Sequence, residues 1–206
     1  MMLTEQTSGV EAAFPGSEFR DPLSLVSGRA DDGLQDPVLA TCLRAALAAV
    51  ESESSKALLE RQFKYTVSAW RDIDRLELPI APVTSVDEFQ VFDIQGNASD
   101  VQANQYRLVP DFYRPFIFAR GWSLPVIPEG GTVEVLFTAG FAANWTGIPA
   151  DLQQAVFMLA THFYDNRGAA SKSDKVLPHG VESLLLRFRP LRILGGRSCL
   201  SVCRES

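Results

Sequence analysis

Two histidines, His162 and His179, are the chain's only side chains that ordinarily titrate near neutrality. His162 is followed three residues later by Asp165 and then by Asn166. That spacing sets imidazole and carboxylate as neighbours on one helical face. Such a pair could be a general base with its orienter, or two of the ligands of a metal ion. No third ligand stands nearby, and a helix histidine bonded to a neighbour or to a backbone carbonyl is the simpler explanation. His179 lies in a Pro178-His179-Gly180 turn with no partner in the sequence. Of the three cysteines, Cys199 and Cys203 are spaced Cys-x-x-x-Cys with no second Cys or His pair beside them, which matches no zinc pattern. Cys42 falls in a Leu/Ala run that reads as a helix face, so a small buried thiol in a reducing setting is expected. Neither a Gly-x-Gly-x-x-Gly nor a Gly-x-x-x-x-Gly-Lys-Ser/Thr occurs, and no Ser or Cys sits in a nucleophile elbow. Gly140-Phe141 follows a strand but lacks further glycines. Asp151, just beyond, would repel phosphate and is expected to cap a helix instead. These residues predict no enzyme, no metal and no cofactor.

The charge is more informative. The net charge is −6, yet from Arg167 onward eight basic residues face three acidic ones, a local excess of +5 that leaves −11 for the rest. An acidic body with a basic arm could meet nucleic acid, an acidic protein or a neighbouring copy. For basic residues interleaved with aromatics, Arg187-Phe188-Arg189 and Arg192 come nearest, amid Leu184, Leu185, Leu186, Leu191, Ile193 and Leu194. Arginines among large apolar groups suit a protein groove better than a phosphate track. Leu184 to Phe188 could equally be a terminal helix packed on its own domain. Arg187, Arg189, Leu191, Arg192, Ile193, Leu194 and Arg197 are the expected partner-binding residues. The start has no basic-then-apolar run, and no apolar stretch approaches the ~20 residues that span a bilayer, so a soluble, unsecreted protein without a membrane partner is expected.

The elements that would position these residues follow from hydrophobic period. Residues 1–33, rich in Gly, Ser, Pro and acids, read as an arm that orders only by contact. Asp36-Pro37 opens a helix with Asp as N-cap, and Leu39, Leu43, Ala46 and Val50 form its stripe. Ser52 to Ser55 should bend it, with 56–61 as a second helical piece. From Phe63 the period changes to two, and strands are expected at 63–69, 75–78, 83–92, 106–109, 115–118 and 133–138, separated by turn residues. Helix returns after Ile148-Pro149, with Leu152, Ala155, Val156, Leu159 and Phe163 on one face and Gly168 as its stop. A short helix runs from Val181 to Phe188 and ends before Pro190. The expected fold is α+β: a helical core (34–61 and 148–190) carrying an antiparallel β insertion (62–140), with arms at 1–33 and 191–206.

Several segments in order resemble one family. Gly131 to Phe141 is a strand ending in a Thr-Ala-Gly-Phe turn. Ile148-Pro149-Ala150-Asp151-Leu152 is a helix start, and His162-Phe163-Tyr164-Asp165-Asn166-Arg167 a helix end. With Leu76 to Val86, Leu39 to Ala46 and Leu177-Pro178-His179-Gly180-Val181, they are similar to the head–tail connector (head-completion adaptor) proteins of tailed phages and phage-like gene transfer agents. The resemblance covers about residues 34–190. The acidic lead of the first helix is replaced by Gly33-Leu34-Gln35-Asp36, and neither arm has a matching pattern. It implies a ring of twelve copies in the particle neck, assembled in the bacterial cytoplasm. The portal protein would lie on one side and a tail-side stopper or completion protein on the other, with DNA passing through as cargo. The alternatives are a nucleic-acid-binding module using the basic tail and a small enzyme using His162 and Asp165.

Overall fold

The computed structural model describes residues 1–6, 36–166 and 177–189. Eight strands and three α-helices lie among them: β1 (Met2–Glu5), α1 (Asp36–Ser54), β2 (Arg61–Val67), β3 (Arg75–Glu77), β4 (Val83–Phe92), β5 (Ala98–Asp100), β6 (Tyr106–Val109), β7 (Phe116–Ala119), β8 (Thr132–Ala139), α2 (Ala150–Asp165) and α3 (His179–Leu185). The strands make two antiparallel sheets, one in the order β1-β2-β8-β4-β5 and the other β3-β7-β6.

This corrects the expected helical core with a β insertion. Helix and strand content are about equal, and the molecule is sheet-rich. Two cores of similar size exist. In the first, Leu43, Leu47 and Val50 of α1 meet Leu152, Val156 and Leu159 of α2 and Val181 and Leu185 of α3. In the second, the inward residues of both sheets share one interior. The sheet core follows from strict alternation: Phe63, Tyr65 and Val67 on β2 stand opposite Phe137, Val135 and Val133 on β8, and all six are buried. Phe63 stacks on Phe137 at 5.8 Å. Each such aromatic or aliphatic side chain contributes about 1.5–3 kcal/mol on burial, so the strands carry an interior of their own.

The link between the cores is also a correction. Residues 56–61, expected as helix, form an extended crossing: Lys56 bridges Ala81 and Leu59 bridges Ala142, both in parallel. Helix α1 runs unbroken past Ser52 and stops where Ser55 takes φ 54°. Beside the crossing, β8 leaves the sheet at Gly140, with φ 150°. A Cβ there would lie 2.4 Å from the Glu60 backbone, so only glycine allows this approach. The expected Asp151 cap is not made; Pro149 is the N-cap residue of α2 and Asp151 sits in the first turn. Cys42 is half-buried rather than buried. The first four-residue strand, β1, falls within the expected arm, and the rest of that arm and the 191–206 arm lie outside the described residues.

The molecule therefore has two poles. Arg61 of β2, Val83 of β4 and Ala139 of β8 adjoin the helices, while Val67, Phe92 and Thr132 mark the far end of the sheet.

Candidate functional site

At the joint between the two cores lie two buried cations. Arg61 continues the inward parity of Phe63 and Tyr65, so it enters the interior and is 8% exposed. Its Nη2 donates to both oxygens of Glu51 in α1 at 2.6 Å, and its Nη1 donates to Glu5 of β1 at 3.2 Å. Glu51 also accepts the Leu58 N–H at 2.8 Å. Burial pushes the Glu51 carboxyl above its ordinary value, against the opposing pull of Arg61 and of the Leu58 hydrogen bond.

Lys56 is 2% exposed, and its Nζ makes no hydrogen bond among the described residues. Two rings of the β6–β7 loop hold it instead, with centroids 4.2 Å away for Phe112 and 4.9 Å for Tyr113. Burial lowers its pKa to about 8, with the Asp111 charge opposing. Phe112 packs on Phe141 and Phe188, and the Tyr113 hydroxyl donates to the Arg187 carbonyl at 3.0 Å. The joint thus fixes the stretch after α3, from which the chain continues to Pro190.

The expected docking residues divide there. Arg187 is exposed and ion-paired to Asp151 at 3.4 Å; Arg189 is half-buried and paired to Glu53 at 2.6 Å and Glu182 at 3.5 Å. Leu191, Arg192, Ile193, Leu194 and Arg197 lie outside the described residues. Leu184, Leu185 and Phe188 pack into or against the helical core, the intramolecular alternative, while Leu186 stays exposed. His162 is an exposed residue of α2. Asn166 Nδ2 lies 3.1 Å from its Nδ1 and donates to it in the tautomer that leaves Nδ1 bare. His179 opens α3 and lends its carbonyl to the Ser183 hydroxyl. Among the described residues no three His, Cys, Asp or Glu side chains cluster as metal ligands, and no helix is long and apolar enough to cross a membrane.

Sequence reasoning missed a surface at the far pole. Loops 68–74 and 120–127 are tied by Leu124 N–H to Ile73 C=O and by Trp70 Nε1 to Pro125 C=O. They expose Ile73, Trp122 and Val126 by 71–85%, and the β4–β5 turn adds Ile94. A surplus of large apolar residues on turn segments was its only sequence signal.

A paired arginine and a caged lysine lie between the two cores, and the loops at each end are presented outward. Among the described residues this defines a scaffold that displays surfaces. No family model matches the chain, and no curated protein does. Solved structures do. A chain from the neck of an empty gene transfer agent (GTA) particle, with C6 symmetry, is 47% identical at a TM-score of 0.85, over 96% of this chain and 100% of that one. A chain from the virion of a native gene transfer agent particle is likewise 47% identical at 0.85, over 95% and 99%. One from the neck of a native particle, with C12 symmetry, is 45% identical at 0.82, over 96% and 100%. The chain belongs to the head–tail connector (adaptor) family that includes the neck proteins of gene transfer agents.

Proposed function

We propose that the chain is a structural head–tail adaptor whose copies form a ring, twelve in the complete neck, between the portal protein and the tail-side stopper or completion protein. The observation that carries this reading is the 47% identity to a particle-neck chain over nearly the full length of both. The C6 and C12 symmetries of the relatives' necks favour a closed ring. The protein acts by assembly and not by catalysis. DNA is transiting cargo, and the acidic body suits a channel wall because its net negative charge disfavours lasting contacts with phosphate.

Within that reading the helical pole faces the portal. The chain leaves it through Arg187 and Arg189 toward Leu191, Arg192, Ile193, Leu194 and Arg197, whose apolar–arginine mixture suits a groove in that partner. The far pole, with Ile73, Trp122 and Val126 exposed, meets the tail-side protein. A nucleic-acid-binding tail is less favoured, because both described arginines of the segment are already paired to carboxylates of their own chain. Deleting the residues after Pro190 tests the arrangement. The expected result is a folded protein that no longer docks on purified portal; docking by the truncated protein overturns the assignment of the arm.

A further inference from the structure

We infer that in the ring β1 is exchanged between neighbours, so that the first strand of one copy completes the five-stranded sheet of the next. This rests on the ring reading above and names the segment that joins adjacent copies.

The first observation is how little holds β1 in its own chain. Its pairing with β2 runs from Met2↔Thr66 to Glu5↔Phe63, so Leu3 and Glu5 share the core-facing side with Tyr65 and Phe63. Yet no β1 side chain is buried: Met2 is 64% exposed and Leu3 38%. The space beneath the strand is open. Cavities of about 350 and 230 Å³, both lined by Pro79, reach Glu5 and Arg61 at one end and Met1 and Val67 at the other. Backbone pairing and the Glu5–Arg61 ion pair are the main attachments.

The second is that the socket tolerates release. Arg61 keeps two 2.6 Å bonds to Glu51 when Glu5 departs, so no buried charge is orphaned. An incoming Glu5 from another copy restores the third.

The third is length. Glu5 lies one side chain from Arg61, which reaches the last turn of α1, while the chain must re-enter at Asp36, the opposite end of that helix. Nineteen helical residues measure about 28 Å, a gap that roughly nine extended residues cross. Twenty-nine residues, 7–35, lie between Gln6 and Asp36. That length can span up to about 100 Å, whereas neighbouring copies of a 206-residue chain sit about 40 Å apart. Exchange of an identical element costs little, because each copy receives from one neighbour the same strand that it gives to the other.

The test places cysteines at the paired positions Met2 and Thr66 on the solvent face of the sheet, with Cys42, Cys199 and Cys203 replaced by Ser. Met2→Cys/Thr66→Cys protein is produced in cells that build the particle, and the purified necks are oxidised and run without reductant. Exchange predicts a ladder of disulfide-linked multimers; a single monomer band carrying an internal disulfide overturns it. Micrographs of the same necks separate the two ideas. A ring with monomer-only disulfides removes the exchange and leaves the adaptor reading standing, whereas necks with no ring of this chain remove both. Should the double variant not assemble, the two single variants are co-produced. A mixed disulfide between a Met2→Cys copy and a Thr66→Cys copy supports exchange, and its absence from assembled necks overturns it.

Discussion

The helical half and the sheet half bury cores of similar size, yet the chain encodes them differently. The helical half draws its interior from three stripes far apart in sequence, on α1, α2 and α3. The sheet half draws its interior from one stretch, Arg61 to Ala139, whose alternating residues close on one another, and β1 joins it only at the edge. A continuous stretch flanked by helices resembles an insertion. The balance of the fold corrects the helical core: helix and strand content are about equal, and the sheets bury an interior as large as the helices'. A region contiguous in sequence is not an appendage when it buries about half of the interior.

The comparison is broken most directly in the two cores. Phe137→Ala, in the sheet, should cost about 3–5 kcal/mol, and Leu152→Ala, in the helices, about 2–5 kcal/mol. Both should lower a single calorimetric transition. If Phe137→Ala instead melts the strands ahead of the helices, the sheet is an appendage after all.

The joint should give intermediate effects. Glu51→Gln removes the principal partner of buried Arg61 and should cost about 2–3 kcal/mol in denaturant unfolding, less than a full orphaning because Glu5 remains. Glu5→Gln, at a half-exposed position, should cost under about 1 kcal/mol. Equal losses from the two would show that β1 is anchored as firmly as α1.

The smallest effect concerns Lys56. Its folded pKa of about 8 lies below the ordinary 10.5, so the folded state binds fewer protons than the unfolded state between those values. Stability should therefore rise as pH increases from about 8 to 10.5, and the cost of burying the charge is fully present below 8. Lys56→Met should abolish that slope and be neutral or stabilising at pH 7, as measured by unfolding midpoints across pH. An unchanged slope would assign it to another group.

These elements also show what was legible beforehand. Alternation at Phe63, Tyr65 and Val67 and the stripes of α1 and α2 were plain because one face of each is buried along its length. The sequence from Thr132 to Arg167 carried most of the family resemblance, and the solved relatives bear that resemblance out. Strands β1 and β5 were not legible: Met2-Leu3-Thr4-Glu5 and Ala98-Ser99-Asp100 are edge strands with no buried face, so they have no pattern to show. Residues 56–61 misled for a different reason. Lys, Ala, Leu, Glu and Arg are helix formers, and their propensity was overridden by bridges to Ala81 and Ala142. Arg61 could have been placed by extending the strand's parity two residues backward. The partition of strands between two sheets depends on pairings that no local pattern encodes.

The orientation of the two poles in the neck is the most direct test of the proposed role. Electron microscopy of particle necks with a bulky tag inserted at the Gly121-Trp122 loop should place the tag density on the tail side of a ring, with the helices toward the portal. Tag density on the portal side, or a neck without a ring of this chain, contradicts it.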